Sequence, residues 1–208
     1  MVDANLDQFS SDIPLETVAH ILKLNDPRCL QLRVQLVGIT PAIWRQVLVP
    51  ESITLVKLHK VLQAAMGWLD LHLHEFDING VRYGTPDPTW DSGPDTVIAE
   101  KGVVLKQCLG GVSSFQYLYD FGDDWLHRID IEKVMPLDPA ISVPRCLAGA
   151  GACPPEDVGG LPGSQLLLDA LSKPDDPESQ EMLGWVGALG FDPKGFDVDV
   201  INQALLKL

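Results

Sequence analysis

The chain has 208 residues, 46% hydrophobic and 21% charged with both signs interspersed, which suits one packed domain with appendages and excludes wholesale disorder. Its formal charge of −14 sets up a field that opposes nucleic acid and anionic lipid, and no lysine or arginine run supplies a local basic patch. No apolar run approaches the ~18 residues of a membrane span, residues 1–7 lack the regions of a signal peptide, and four scattered cysteines without a CxxC pair fit a cytoplasmic protein with reduced thiols.

In chain order, residues 1–12 are polar. From Pro14 the positions Leu15, Val18, Ala19 and Leu22 share one helical face behind a cap at Asp12, and Asn25-Asp26-Pro27 ends the pattern. Residues 1–28 are therefore read as an N-terminal extension, and residues 29–208 as a single domain. Leu30, Leu32, Val34 and Leu36 alternate with Gln31, Arg33 and Gln35, predicting a half-buried strand. A turn at Gly38 to Pro41 leads to a second strand over residues 43–49. Thr54 is placed to cap a helix whose inner face is Leu55, Leu58, Leu62, Ala65 and Met66, with Gly67 as its stop. Residues 71–78 and Val81-Arg82-Tyr83 read as strands around Asn79-Gly80, a strong hairpin signal. Gly84 to Asp95 is a loop, and residues 103–109 fit either a short helix or a strand.

The stretch Tyr119-Asp120-Phe121-Gly122-Asp123-Asp124-Trp125-Leu126-His127 gathers three carboxylates, an imidazole and aromatics around one glycine. Apolar alternation on both sides predicts a hairpin over residues 113–134, with Trp125, His127, Ile129 and Ile131 on one face. Residues 136–163 hold six prolines and five glycines without periodicity, predicting a long ordered loop. The C-terminus reads as helical: Ser164 capping residues 165–171, a helix from Asp176-Pro177 through Leu189, and a last helix capped by Asp197 or Asp199 and ending at Leu208. Strands interrupted by one helix and followed by several helices define an α+β fold, with a mixed or mainly antiparallel sheet and helices packed on one side.

Several stretches carry a resemblance. Pro41-Ala42-Ile43-Trp44-Arg45, Leu58-His59, Gly67-Trp68, His72-Leu73-His74-Glu75-Phe76, residues 119–127, Glu132, Cys146, Cys153-Pro154-Pro155-Glu156-Asp157, Trp185 and Phe191-Asp192-Pro193 together resemble the Ri-plasmid ORF-3-like family, also labelled TnpR-type transposon passenger proteins. The resemblance covers about residues 29–204. It implies an α+β fold and brings no assigned activity. The resolvase-like label finds no support in the residues, because a serine recombinase needs a nucleophilic serine beside an arginine cluster and a basic tail. Two positions depart from the family pattern. Val158 stands where a cysteine usually follows the CPPED segment, and Gly163-Ser164 replaces Gly-Tyr. Without that third cysteine, a thiolate metal site from Cys146 and Cys153 is not expected.

The candidate site residues each have a structural and a functional reading. His127 shares a face with apolar side chains, as a core-edge histidine bonded to Asp120 or Asp123 or as a metal ligand or general base beside them. His72 and His74, two apart on a strand, have the spacing at which two imidazoles converge on one ion. Glu156 and Asp157 either act as caps or pair with Arg45 or Arg128, or one of them faces the hairpin acids, where like charges would raise a pKa. The candidates for catalysis are thus Asp120, Asp123, His127, Glu156 and Asp157, and for metal binding His72, His74 and His127. A divalent metal is the only cofactor these residues suggest, since nucleotide and serine-hydrolase motifs are missing from the sequence. Together the residues read as a cytoplasmic, non-enzymatic interaction or accessory module linked to mobile-element genes. Its acidic, loop-rich surface would take a protein or cationic partner rather than nucleic acid or membrane. The alternative is a metal-dependent hydrolase, such as a phosphoesterase, in which carboxylates and imidazole hold an ion that activates water.

Overall fold

Alternation of apolar and polar side chains carries the chain into a sheet from its first described strand onward. The computed structural model describes residues 27–87, 96–187 and 190–208. The expected helix after Pro14, most of the loop ending at Asp95 and the end of the helix expected through Leu189 lie outside the described residues. Eight strands form one sheet: β1 (Arg28–Leu36), β2 (Trp44–Pro50), β3 (His74–Ile78), β4 (Val81–Gly84), β5 (Ile98–Ala99), β6 (Ser114–Tyr119), β7 (Trp125–Pro136) and β8 (Arg145–Ala150). Their spatial order is β5-β4-β3-β6-β7-β1-β2-β8. Every pairing is antiparallel except β4 with β5, so the sheet is mixed and mainly antiparallel. Helices α1 (Leu55–Met66), α2 (Leu105–Cys108), α3 (Gly160–Ser172), α4 (Ser179–Gly187) and α5 (Val198–Leu205) complete an α+β arrangement. Among the described residues no helix is long and apolar enough to cross a membrane.

The register aligns the apolar sets of five strands on one face. Phe76 and Ile78 of β3, Phe115, Tyr117 and Tyr119 of β6, Trp125 and Ile129 of β7, Leu32, Val34 and Leu36 of β1, and Val47 and Val49 of β2 are all buried there. Helix α1 covers this face with Leu55, Leu58, Val61, Leu62, Ala65 and Met66. Its limits are those the sequence predicts: Thr54 accepts from the Lys57 N–H, and Gly67 adopts φ 91 as the left-handed stop. On the opposite face Glu132 accepts from Gln31 at 2.8 Å and Gln46 at 2.6 Å, a polar tie across β7, β1 and β2.

Three local expectations change, at residues 136–163, Ser164 and the start of β3, and two alternatives left open are resolved. The stretch from 136 to 163 is not one loop: Arg145–Ala150 becomes β8 at the edge beside β2, and α3 begins at Gly160. Ser164 therefore sits buried inside α3 rather than capping it. Residues 105–108 are helical, following a bridge between Val104 and Thr54. Strand β3 begins at His74, leaving His72 in a bend before it. Asp197, not Asp199, caps the last helix, accepting from the Asp199 and Val200 N–H groups.

Arg45 of β2 points into the interior and is 2% exposed. No carboxylate among the described residues pairs with it. Its guanidinium donates instead to four backbone carbonyls: Nε to Ala65 at 2.8 Å, Nη1 to Trp44 at 2.8 Å and Ala150 at 3.0 Å, and Nη2 to Gly151 at 2.9 Å. The Cys153 sulfur lies 3.8 Å from Nη2, and the Phe196 ring covers the guanidinium at 5.0 Å. One side chain thus ties β2, the last turn of α1 and the exit of β8 together. Replacing Arg45 with Met is expected to cost at least about 3 kcal/mol, because several buried acceptors lose their donor at roughly 1–3 kcal/mol each. Arg45→Lys should recover only part of that, since a point-like ammonium lacks the guanidinium fork. Urea denaturation measures both; a loss below about 1 kcal/mol for Arg45→Met would contradict the assignment.

Candidate functional site

Three segments meet at one end of the sheet: residues 67–73 after α1, the β6–β7 turn, and the CPPED segment. Trp68 joins the first to the third. Its Nε1 donates to the Pro154 carbonyl at 3.0 Å, and its ring stacks on Tyr119 at 4.9 Å. Tyr119, at the end of β6, accepts from the Leu71 N–H at 3.0 Å and donates to Glu156 at 3.1 Å; Glu156 also accepts from the Leu69 N–H at 2.8 Å. Burial, opposed by the Leu71 N–H and reinforced by the Glu156 charge, pushes the Tyr119 phenol well above its usual range, so it stays a donor.

The turn itself is set by aspartates. Asp120 and Asp124 adopt φ 57 and φ 56, a left-handed conformation that aspartate tolerates better than most residues. Asp120 Oδ1 accepts from the Gly122 N–H at 2.9 Å, and the Asp124 N–H donates to the Asp120 carbonyl at 2.7 Å. Asp123 reaches outward to accept from the Gly159 N–H at 3.2 Å. Gly160 lies against the Asp123 backbone so closely that a Cβ there would stand 2.6 Å from the Asp123 carbonyl oxygen. These contacts hold the end of the CPPED segment on the turn.

The result is a cluster around His72. Its Nε2 stands 3.2 Å from Asp157 Oδ1, 3.6 Å from Asp120 Oδ2 and 3.8 Å from Glu156 Oε2. Residues 72, 120, 156 and 157, far apart in sequence, are thereby brought together. The other candidates lie elsewhere. His74 points to the covered face, stacks on His59 with ring centroids 3.5 Å apart, and donates from Nε2 to Glu100 at 3.1 Å. His127 is fully buried beneath Trp68 and donates from Nδ1 to the Tyr117 carbonyl at 3.2 Å, bonding neither Asp120 nor Asp123. Among the described residues its Nε2 has no partner. The expected pairing of Glu156 or Asp157 with an arginine does not form: Arg45 binds carbonyls, and Arg128 pairs with Asp130 at 2.8 Å. Cys153 is buried, and burial, partly offset by the nearby Arg45 charge, pushes its thiol up to about 12. Val158, at the departure from the family pattern, joins the apolar core.

Two features escape the sequence reading. One is Tyr119 as the strut for Glu156. The other is the rim: Leu69, Leu71 and Leu73 are 72%, 63% and 58% exposed, and Phe121 is half exposed. The Leu73 carbonyl accepts from the Asp120 N–H at 2.9 Å, which sets the leucines beside the turn. Next to them lies a cleft of about 940 Å³ lined by Trp68, Pro155, Glu156, Trp185 and Phe191. Local alternation does not assign these faces, because residues 69–73 precede β3 and turn through a left-handed Asp70.

The buried imidazoles are neutral. His59 Nε2 donates to Asp70 at 2.7 Å, so Nδ1 accepts from the Tyr117 hydroxyl at 2.8 Å, which in turn accepts from Gln63. Burial, with the nearby His74, pushes His59 down to about 4. Burial likewise pushes His127 to about 4.

The chain belongs to the plasmid pRiA4b ORF-3-like protein family, whose model matches residues 28–200. It is 41% identical over 180 residues to the uncharacterized protein y4hQ of Sinorhizobium fredii (strain NBRC 101917 / NGR234), covering 85% of this chain and 90% of that one. It is also similar to a crystal structure from Methanosarcina mazei Go1, the protein of unknown function MM3350. That match has a TM-score of 0.76 and 35% identity, over 84% of this chain and 97% of the other.

Two outcomes test the site's construction. Both His59 and His127 have folded-state values near 4, below the ordinary 6.5, so the unfolded chain takes up protons first as pH falls. Stability should be full above about pH 6.5 and fall toward pH 4, with a loss of about 2 kcal/mol per histidine between pH 7 and pH 5. Urea titrations at the two pH values, with His127→Phe removing about half the difference, measure it. Gly160→Ala forces a Cβ against the Asp123 backbone at a left-handed position, and should lower stability by about 1–3 kcal/mol. A melting temperature equal to wild type would contradict that packing.

Proposed function

We propose that the chain is an interaction module that binds a protein partner through the rim of Leu69, Leu71, Leu73 and Phe121 and the adjoining cleft. The observation that carries this reading is the exposure of three alternating leucines, 58–72%, beside a carboxylate cluster in a chain of net charge −14. An apolar patch rimmed by polar groups is the usual mark of a contact surface. The charge favours a partner segment with basic residues flanking apolar ones, and opposes nucleic acid. The plasmid origin in the family's description supports placing the chain with mobile-element genes, and four scattered cysteines without a CxxC pair support a cytoplasmic setting. A hydrolytic reading has less support, because His74, His127 and Asp123 are engaged away from the His72 cluster.

The triple variant Leu69→Ser, Leu71→Ser, Leu73→Ser separates binding from folding. Its melting temperature should stay within about 3 °C of wild type, because exposed side chains contribute little to stability. Quantitative affinity capture from the native host, followed by titration of the purified partner, should show at least about tenfold weaker binding by the variant, a difference of ~1.4 kcal/mol. Equal affinity of the two forms would reject the rim as the partner surface.

A further inference from the structure

The polar groups around His72 do not satisfy one another. Its Nε2 has no exposed surface and, among the described residues, no partner in hydrogen-bond geometry, despite three carboxylate oxygens at 3.2–3.8 Å. The Asp120 side chain is 8% exposed. Its Oδ1 accepts from Gly122, while Oδ2 faces His72 and receives no donor among the described residues. Among those residues no lysine or arginine pairs with Asp120, Glu156 or Asp157.

Hydrogen-bonded groups point at each other; ligands of one ion point at a shared centre and stand apart. Around a six-coordinate ion with bonds of about 2.1–2.2 Å, adjacent ligand atoms lie about 3.0 Å apart and opposite ones about 4.3 Å. The three oxygens around His72 Nε2 fall in that range, and the ligand atoms of His72, Asp120 and Asp157 all lie within 4.8 Å of one another. Glu156 is already oriented by Tyr119 and the Leu69 N–H, the kind of outer support that fixes a metal-binding carboxylate.

We propose that His72, Asp120 and Asp157 bind one divalent first-row cation, with Glu156 Oε2 as a fourth ligand. The mixed imidazole and carboxylate donors suit Mn²⁺ or Zn²⁺ better than the all-oxygen preference of Ca²⁺ or Mg²⁺. The ion would neutralise a carboxylate cluster that meets no lysine or arginine among the described residues, and cross-link the segment after α1, the β6–β7 turn and the CPPED segment. Asp157, 70% exposed, leaves a solvent-facing side through which the ion enters and on which further ligands sit. This site does not depend on the partner surface above, because the leucines supply no ligand.

The full chain, stripped with EDTA and desalted, is titrated with MnCl₂ and separately with ZnCl₂ by calorimetry, alongside Asp120→Asn and Asp157→Asn. Asparagine accepts the left-handed backbone at both positions, so the substitutions change the ligand and not the turn. Wild type should bind one equivalent of at least one metal, with a melting temperature raised by about 5 °C at saturation. Each variant should bind at least about tenfold more weakly, since even outer-shell changes cost 10–100-fold. Asp157→Asn, at an exposed position, decides the matter alone if Asp120→Asn is poorly folded. No saturable binding by wild type, or affinity in Asp157→Asn within about twofold of wild type, overturns the proposal.

Discussion

A buried guanidinium that pairs with no carboxylate among the described residues organises this protein. Removing Arg45 from water is costly, and only a full set of acceptors offsets that cost. Here the acceptors are carbonyls that strand and helix hydrogen bonding leaves free: the last turn of α1 offers Ala65, and the end of β8 offers Ala150 and Gly151. Those groups need a donor as much as the arginine needs acceptors. Because they come from three elements, the one side chain sets where α1 ends relative to β8. That junction launches both segments that build the site, residues 67–73 from the helix and CPPED from the strand.

The site inherits its shape from that junction. Trp68 bridges to Pro154 two residues beyond the end of α1, and Tyr119 then orients Glu156. Left-handed aspartates recur where each segment turns toward the others: Asp70, Asp120 and Asp157 have φ of 59, 57 and 58. Such positions are sparsely populated and concentrate at functional sites. Asp70 is spent on structure: burial opposes its ionisation, yet hydrogen bonds from Lys60 and His59 hold its carboxyl below the ordinary range. Asp120 and Asp157 instead face His72, with no lysine or arginine beside them among the described residues. Beside the cluster, Leu69, Leu71 and Leu73 stand in water.

Much of the fold was legible. Alternation in β1, β2, β6 and β7, the Thr54 and Gly67 limits of α1, and the Asn79-Gly80 turn are local signals, and local signals held. β8 was not legible, because Arg145–Ala150 is a short run of small residues whose strand character comes from pairing with β2 about a hundred residues earlier. The start of α3 at Gly160 was hidden by glycines that read as loop. They are there because Gly160 packs on the Asp123 backbone and Gly163 on the Val158 carbonyl. At the site, motif spacing brought attention to the right segments and could not apportion the histidines. His72, His74 and His127 look alike in sequence. Tertiary partners alone decide that His74 stacks on His59, that His127 lies beneath Trp68, and that His72 meets the acids. Arg45 illustrates the same limit, since an arginine in a strand carries no local mark of binding carbonyls.

Arg45 positions the CPPED segment against the β6–β7 turn by holding the exit of β8. Amide hydrogen exchange on wild type and Arg45→Lys tests it residue by residue. The Leu69 and Gly159 amides, held by Glu156 and Asp123, should lose protection in the variant, while β1 and β7 amides in the middle of the sheet keep theirs. Unchanged protection at Leu69 and Gly159 would show that the segment is held by its own contacts, and the account of Arg45 as the organising residue would be wrong.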